Sequence, residues 1–520
     1  VCLATPYYDN LLHIKFFCAR MTKYRKYSNK IFYNIYYYQT AFVYTVKFNK
    51  RYGGNEMGEA TITKQNDMDN PLGIEPVGKL LKSFALPSVA AFLVNNLYNI
   101  VDQIFIGQGV GYQGNAATTV AFPIVTIVLS LSMLVGAGGS AYASIRLGEG
   151  KFSIAEKVLG NMMTILIIVG LLLCGIGFLF FEPMLRLFGA KDTIMEYAKD
   201  YSSIILLGVP FMMVGAGLSN MARTDGSPKM AMLSMLVGAV LNTVLDPVYI
   251  FVFKWGVKGA AIATITSQIL SAIILVWYFR RKGKMRLKKQ YLKPEWQLII
   301  AFCSLGVSSF IVQIANTLLQ VILNNSLVYY GDACSVGGDV ALSAMGIVLK
   351  VSAILIGINI GIGTGAQPIV GFNYGAKKPQ RIKDTYLLSV KIASICSIIG
   401  WIGCVFFPKY LLMIFGSGDT NFMNFAVKSM QVYMFGIFIS GIQIVSTGYF
   451  QATGQALKAS VLSMLRQVIL LIPLIIIFPL FWGLDGILVA GPVADIASGL
   501  IVSFFILKEM KRLNHWMKEV

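Results

Sequence analysis

Two aspartates lie inside long apolar segments, where a charged side chain is costly. Asp102 follows Asn95 and Asn99 at helical spacing, so a helix places all three side chains on one polar stripe. Asp246 follows Asn242 by one helical turn. A charge in the hydrocarbon region costs about 2.5–3.5 kcal/mol or more. Both acids are therefore candidates for function, although each could instead be a neutralised group bonded to a neighbouring helix.

Pro247 adds a backbone feature next to Asp246. Proline has no backbone N–H to donate, so we expect a free carbonyl near Thr243 and a bend in the helix. Carboxylate, amide and carbonyl oxygens around one cavity are hard ligands, which suit a proton or a sodium ion. The residues thus predict a cation site, with no catalytic residue and no metal centre.

The second half of the chain has an amide stripe but no acid at the corresponding place. These side chains lie at helical spacing on one predicted face, so they could contact substrate, although packing bonds between helices explain them equally well. Asn95 and Asn99 of the first half are candidates of the same kind. We also expect Arg466 and Asp495 to form an ion pair within the second half. The substrate candidates of the second half are Gln313, Asn316 and Gln320.

The composition excludes a soluble enzyme. Of 520 residues, 56% are hydrophobic and 13% are charged, whereas about a quarter of the residues in a soluble protein are charged. The mean hydropathy is +0.67. Seven cysteines without a CxxC pair give neither a disulfide framework nor a zinc knuckle. The net charge of +20 lies in short clusters between apolar segments, so it indicates a membrane protein in a lipid bilayer and no nucleic-acid partner.

Twelve apolar stretches are long enough to cross about 30 Å of hydrocarbon. They are continuous rather than alternating, so the sequence predicts an all-α integral membrane protein and argues against a barrel. The predicted spans lie near 84–106, 117–141, 157–181, 201–222, 230–253, 258–279, 297–322, 341–365, 387–408, 427–450, 458–482 and 487–508.

Basic residues concentrate in the connections after even-numbered spans, such as 280–289 and 377–383. The connections after odd-numbered spans are poorer in them. By the positive-inside rule, both termini are predicted to be cytoplasmic.

An internal repeat divides the chain into two halves of six spans. Trp255-Gly256 matches Trp482-Gly483 at a shift of 227 residues, and three further motifs recur at nearly the same shift. Because six is even, the two lobes share one orientation and are related by an axis along the membrane normal, with the substrate site between them. The predicted segments are a cytoplasmic N-terminus at 57–83, a first lobe at 84–279, a basic cytoplasmic linker at 280–296, a second lobe at 297–508 and a cytoplasmic C-terminus at 509–520.

Residues 1–56 differ from the rest of the chain. They hold ten of the 25 tyrosines and show neither helical nor strand periodicity. Two glycine codons shortly before Met57 would also give a purine string typical of a ribosome-binding site. We therefore interpret 1–56 as a non-native translated leader and expect Met57 to be the start. The alternative is a basic arm that binds anionic lipid.

Three motifs in this order resemble the multidrug and toxic compound extrusion (MATE) transporters of prokaryotes. They are Val101-Asp102 before Phe105-Ile106-Gly107, the stretch Leu241-Asn242-Thr243-Val244-Leu245-Asp246-Pro247, and Trp255-Gly256 before Gly259-Ala260-Ala261. The resemblance covers roughly 75–520. It implies twelve helices in two lobes, alternating access, and export of cationic or amphipathic compounds in exchange for protons or sodium ions. It also implies a bacterial inner-membrane protein that works as a monomer without a further cofactor.

The resemblance also implies which residues bind the cation. In such transporters the acids of spans 1 and 5 act with nearby polar groups, which here are Asp102, Asn242 and Asp246, with Asn220 and Thr264 as looser matches. Some relatives also have acids in spans 7 and 10. This sequence lacks them, which favours coupling in the first lobe.

Two other functions stay open at this stage. A flippase for lipid-linked saccharides has a related two-lobed design, but its cavity needs more cations than Lys350 and Arg466. The other alternative is an ion channel or a structural membrane protein, against which the two-lobe repeat argues.

Overall fold

The computed structural model describes residues 70–188, 190, 192–413 and 420–519, and all regular secondary structure in this part of the chain is helical. The prediction of an all-α protein is thereby confirmed. The interpretation of 1–56 as a leader, and of Met57 as the start, falls outside the described residues.

Twelve helices in the described part are long and apolar enough to cross a membrane, which confirms the predicted number. All twelve begin before the predicted start and eight also run past the predicted end, because a helix continues into the polar interface beyond its apolar stretch. The spans, numbered in chain order, are Val77–Val110, Ala116–Gly148, Phe152–Leu179, Ile194–Thr224, Pro228–Val252, Gly256–Arg281, Trp296–Asp332, Val340–Gly375, Pro379–Phe406, Phe422–Ala452, Ala456–Ile477 and Pro479–Glu519.

Several spans depart from the regular α-helix. Span 5 changes into a π-helix at Val248–Val252, directly after Pro247, and span 11 has a π-helix at Leu465–Leu471. Span 10 contains a 3-10 turn at Met434–Ile439. Span 12 breaks at Gly483, whose φ of 54° favours glycine. These irregular turns re-aim side chains within the bundle, and π-turns are frequent at functional sites.

The two lobes exchange the first turns of their first helices. The start of span 1, with Leu81 and Phe84, belongs to a buried cluster with Phe372 of span 8. The start of span 7, with Phe302, is part of the core of the first lobe, together with Leu166. Spans 1 and 7 therefore cross between the lobes, and each connects one lobe to the other.

Glycines allow the helices of the two lobes to touch. A Cβ added at Gly306 of span 7 would lie 1.8 Å from the carbonyl oxygen of Leu134 in span 2, and one at Gly375 would lie 2.0 Å from the carbonyl oxygen of Ile145. These contacts lie toward the face where the even-numbered spans end, which we call the terminal face because span 12 ends there. Close backbone packing of this kind is typical of membrane helices.

The linker after span 6 is fixed to the first lobe. Asp225 accepts hydrogen bonds from the backbone amides of Lys284 (2.8 Å) and Met285 (2.7 Å). Glu156 accepts one from the amide of Arg286 (2.9 Å). Burial raises the pKa of Asp225, although these hydrogen bonds oppose the shift. Two buried carboxyl groups thus hold the connection between the lobes at residues 284–286.

Candidate cation site

Spans 1 and 5 bring the two predicted aspartates together. The carboxyl groups of Asp102 and Asp246 are close enough to share a hydrogen bond. Asp246 is fully buried and Asp102 is partly buried. Within the described part of the chain, Oδ1 of Asp102 and Oδ2 of Asp246 have no hydrogen-bond partner. Two carboxylates in contact repel each other, so this pair is favourable only with a proton or a cation between its oxygens.

Asn242 and Thr264 complete the polar cluster around this pair. Nδ2 of Asn242 donates hydrogen bonds to Oδ1 of Asp246 (3.2 Å) and to Oγ1 of Thr264 (3.5 Å). This orientation leaves Oδ1 of Asn242 buried without a partner among the described residues. The cluster therefore has three unpartnered oxygens, one each on Asp102, Asn242 and Asp246. Such hard oxygen ligands suit a proton or a sodium ion.

Two tyrosines that the sequence analysis did not single out also belong to the cluster. The buried side chain of Tyr201, on span 4, lies close to Thr264 and to both aspartates. Tyr98 lies one turn before Asp102 on span 1 and close to both aspartates. Helical spacing from Asp102 could have indicated Tyr98. A tyrosine in an apolar helix gives no comparable signal for Tyr201.

Pro247 lies where span 5 changes from an α-helix to a π-helix. The expected irregularity is therefore present, one residue after Asp246. The amide of Val248 donates to the carbonyl of Leu245, which is a tighter bond than in an α-helix. Span 5 therefore changes its helix type directly beside Asp246 of the cation site.

Asn220, the other looser match, is not part of the cluster. Its Nδ2 donates to the carbonyl of Ala216 (3.1 Å), and its Oδ1 accepts from Arg223 (3.2 Å). It lies nineteen residues after Tyr201 on the same helix, which is about 28 Å at 1.5 Å per residue. The assignment of Asn220 to the cation site is therefore corrected, because Asn220 lies toward the terminal face and the aspartates lie toward the opposite face.

The substrate candidates of the first half lie beside the cation site on span 1. Asn99 donates from Nδ2 to the carbonyl of Asn95 (2.6 Å), and the Asn99 side chain is exposed. Both residues lie within two turns of Asp102 on the same helix. Their contact with substrate stays a prediction.

The amide stripe of span 7 combines one packing bond with exposed surface. Oδ1 of Asn316 accepts a hydrogen bond from Nε2 of Gln467 on span 11 (2.5 Å). Gln313 is partly exposed, and Asn316 and Gln320 are exposed. All three side chains therefore have surface available for a substrate, and their contact with it stays a prediction.

Arg466 and Asp495 form the expected ion pair inside the second lobe, between spans 11 and 12. Arg466 lies in the π-helix of span 11. Arg466 balances the charge of Asp495, so this carboxylate needs no coupling ion to neutralise it. Lys350 on span 8 is exposed.

Twelve spans in two repeated lobes, with a buried carboxyl pair in one of them, define a multi-pass membrane transporter. The chain belongs to the MatE family, whose family model matches residues 87–248 and 309–477. The two matched segments cover spans 1–5 and spans 7–11, one segment in each lobe. The resemblance that the sequence motifs indicate is confirmed.

Two similar proteins of staphylococci are multidrug exporters. The chain is 27% identical over 439 residues to the multidrug export protein MepA of Staphylococcus saprophyticus, which covers 82% of this chain and 93% of that protein. It is 26% identical over 432 residues to MepA of Staphylococcus aureus, covering 82% and 94% of the two chains.

Solved structures show the same fold. The MATE multidrug transporter DinF-BH, solved as a complex, is 34% identical, with a TM-score of 0.76, and the match covers 84% of this chain and 96% of that chain. An outward-facing multidrug resistance transporter of the MATE family has a TM-score of 0.79 over 86% of this chain and 98% of that chain. At 20% identity, this second likeness concerns the fold alone.

Proposed function

We propose that the protein is an antiporter that exports cationic or amphipathic compounds in exchange for protons or sodium ions, and that Asp102 and Asp246 hold the coupling ion. The observation that supports this most is the contact between their carboxyl groups, in a cluster with three unpartnered oxygens. Removing a cation from this pair leaves two buried negative charges in contact. The occupancy of the site therefore changes its energy strongly.

Span 1 links this site to the contact between the lobes. Asp102 lies near the end of span 1 at the opposite face, whereas Ala85 lies near its terminal-face end. The Cα of Ala85 is 2.7 Å from a Cβ placed on Gly365 of span 8, so the two backbones touch. Pro87 lies within span 1, next to this contact. A bend at Pro87 would couple the cation site to the second lobe.

The proposed cycle uses this link to alternate between two states. In the state described here, close contacts join the lobes toward the terminal face. A cation enters from the opposite face and neutralises the carboxyl pair, span 1 bends at Pro87, and the bound compound leaves. Return to the other state releases the cation on the terminal side, which we assign to the cytoplasm. Cation binding biases the two states because its free energy differs between them.

The substrate class rests on relatives and on the surface between the lobes. The names of the staphylococcal relatives describe multidrug export, and the 34% identical protein of known structure is called a multidrug transporter. In this chain, exposed amides on spans 1 and 7 offer hydrogen bonds without charge. An acidic cluster on the first lobe attracts a cationic compound while the coupling ion is absent. We place this activity in a monomer in the bacterial inner membrane.

The decisive substitution is Asp246→Asn, which keeps the side-chain volume and removes the charge. We expect it to abolish ethidium efflux from proteoliposomes driven by an imposed pH or sodium gradient, because no charge remains on span 5 for the ion to neutralise. Applying the two gradients separately to the wild type identifies the ion. Efflux is followed by the fall in ethidium fluorescence.

Asp485→Asn is the matched control. Asp485 is exposed and pairs with Lys428, away from the cation site, so efflux should remain at the wild-type rate. Asp102→Asn should behave like Asp246→Asn. Normal gradient-driven efflux by the Asp246→Asn protein would contradict the proposed function.

A further inference from the structure

A groove of about 980 Å³ lies on the outer side of the first lobe, between spans 3, 4 and 6. Its lining is mostly apolar. Leu171 and Ile273 line the groove and are 58% and 55% exposed, so the groove opens to the surroundings of the bundle. No residue of the cation site lines the groove. Asp102 and Asp246 lie on spans 1 and 5, which do not contribute to the lining.

The length of the groove matches half of a bilayer. Along span 3 its lining runs from Met163 to Cys174, and eleven residues of helix rise about 16 Å. The hydrocarbon core of a bilayer is about 30 Å thick, so one leaflet is about 15 Å deep. The groove therefore has the length of one lipid acyl chain in the leaflet next to the terminal face.

The mouth of the groove is cationic. Trp277, Arg280 and Arg281 line it at the end of span 6. Both arginines are exposed, and neither forms an ion pair with a carboxylate in the described part of the chain. Nζ of Lys282 lies 5.1 Å from the centre of the Trp277 ring. Tryptophan beside basic residues is typical of the headgroup level of a membrane.

We propose that this groove binds an anionic phospholipid, with one acyl chain along spans 3, 4 and 6 and the phosphate group at Arg280 and Arg281. Two guanidinium groups can bind phosphate oxygens with paired hydrogen bonds. The positive charge at the mouth has no carboxylate partner, so a headgroup with a net negative charge is favoured over a zwitterionic one. The apolar residues that line the groove would contact the acyl chain.

Native mass spectrometry of the detergent-solubilised full chain, with equal amounts of phosphatidylglycerol and phosphatidylcholine, tests the proposal. We expect the wild type to retain roughly tenfold more phosphatidylglycerol than phosphatidylcholine. Both lipids offer a phosphate, but only phosphatidylcholine brings a choline cation next to the two arginines. Arg280→Gln combined with Arg281→Gln should remove most of this preference. Ile273→Trp fills the groove and should lower the retention of both lipids.

The matched control removes two positive charges from the terminal face, but on span 12 and away from the groove. Lys508 and Lys511 are exposed on span 12, and Lys508→Gln combined with Lys511→Gln should keep the preference. An equal loss in this control, or equal retention of the two lipids by the wild type, would overturn the proposal. Displacement of the bound lipid by stoichiometric ethidium would also overturn it, because the groove would then be a site for transported compounds.

Discussion

At the residue scale, the cation site depends on two carboxyl groups that are costly in a membrane and on the amide and hydroxyl groups beside them. A carboxyl group in an apolar segment is conspicuous because of its cost, and this identified Asp102 and Asp246 from the sequence. Thr264 was found only through the family resemblance, and the structure places it against Asn242. The family resemblance placed Asn220 in the same cluster. A sequence shows the spacing of residues along one helix, but not which residues of neighbouring helices lie at the same depth in the membrane.

The hydroxyl group of Thr264 accepts a hydrogen bond from Asn242 and lies close to Tyr201. Thr264→Val keeps the shape of the side chain and removes this hydrogen bond, which contributes about 1–1.5 kcal/mol. We expect the concentration of coupling ion needed for half-maximal ethidium efflux to rise roughly five- to tenfold. Dose curves of the ion in proteoliposomes measure this shift.

Thr243→Val on span 5 is the control for this prediction. The hydroxyl group of Thr243 donates to the carbonyl of Ala239 within its own helix (2.9 Å), so its removal should leave the ion dependence unchanged. The role given to Thr264 fails if both valine variants show the same ion dependence.

At the element scale, the sequence predicts the spans better than their ends and irregularities. Apolar length indicated twelve helices, but not that span 8 continues to Gly375 or that span 12 continues to Glu519, because polar helical ends have no apolar signal. Pro247 did indicate a distortion of span 5. Pro473 lies two residues after the π-helix of span 11 and cannot donate to a carbonyl within it, so a proline signal was present there too.

Span 8 offers two glycines for a direct test of the contact between the lobes. A Cβ at Gly365 would lie 2.7 Å from Ala85 Cα, whereas one at Gly346 would meet nothing within 4 Å. Gly365→Ala should therefore cost about 1–3 kcal/mol by overpacking. We expect a lower unfolding temperature in detergent and slower efflux.

Gly346→Ala should keep the wild-type efflux and be as stable as the wild type or slightly more stable, because alanine is the better helix former by roughly 0.5–1 kcal/mol. Thermal unfolding followed by tryptophan fluorescence compares the two variants. The interlobe contact would lose its importance if Gly365→Ala were as stable and as active as Gly346→Ala.

At the scale of the whole molecule, the repeat predicted two lobes of six spans, and each half of the family match falls in one lobe. The exchange of helix ends between the lobes was not predictable. Phe84 shares a buried cluster with Phe372, and Phe302 shares one with Leu166. Such clusters join residues far apart in the chain that share no motif. This exchange makes span 1 the element that touches both the cation site and the second lobe.

In the proposed cycle the carboxyl pair binds a cation, and binding of the drug displaces this cation. Cation release on addition of ethidium to purified protein tests it most directly, with a pH indicator in weakly buffered solution and a sodium electrode in parallel. We expect the wild type and the Asp485→Asn protein to release either protons or sodium ions. The Asp102→Asn and Asp246→Asn proteins should release neither. Undiminished release by the Asp246→Asn protein, with ethidium still bound, would contradict it.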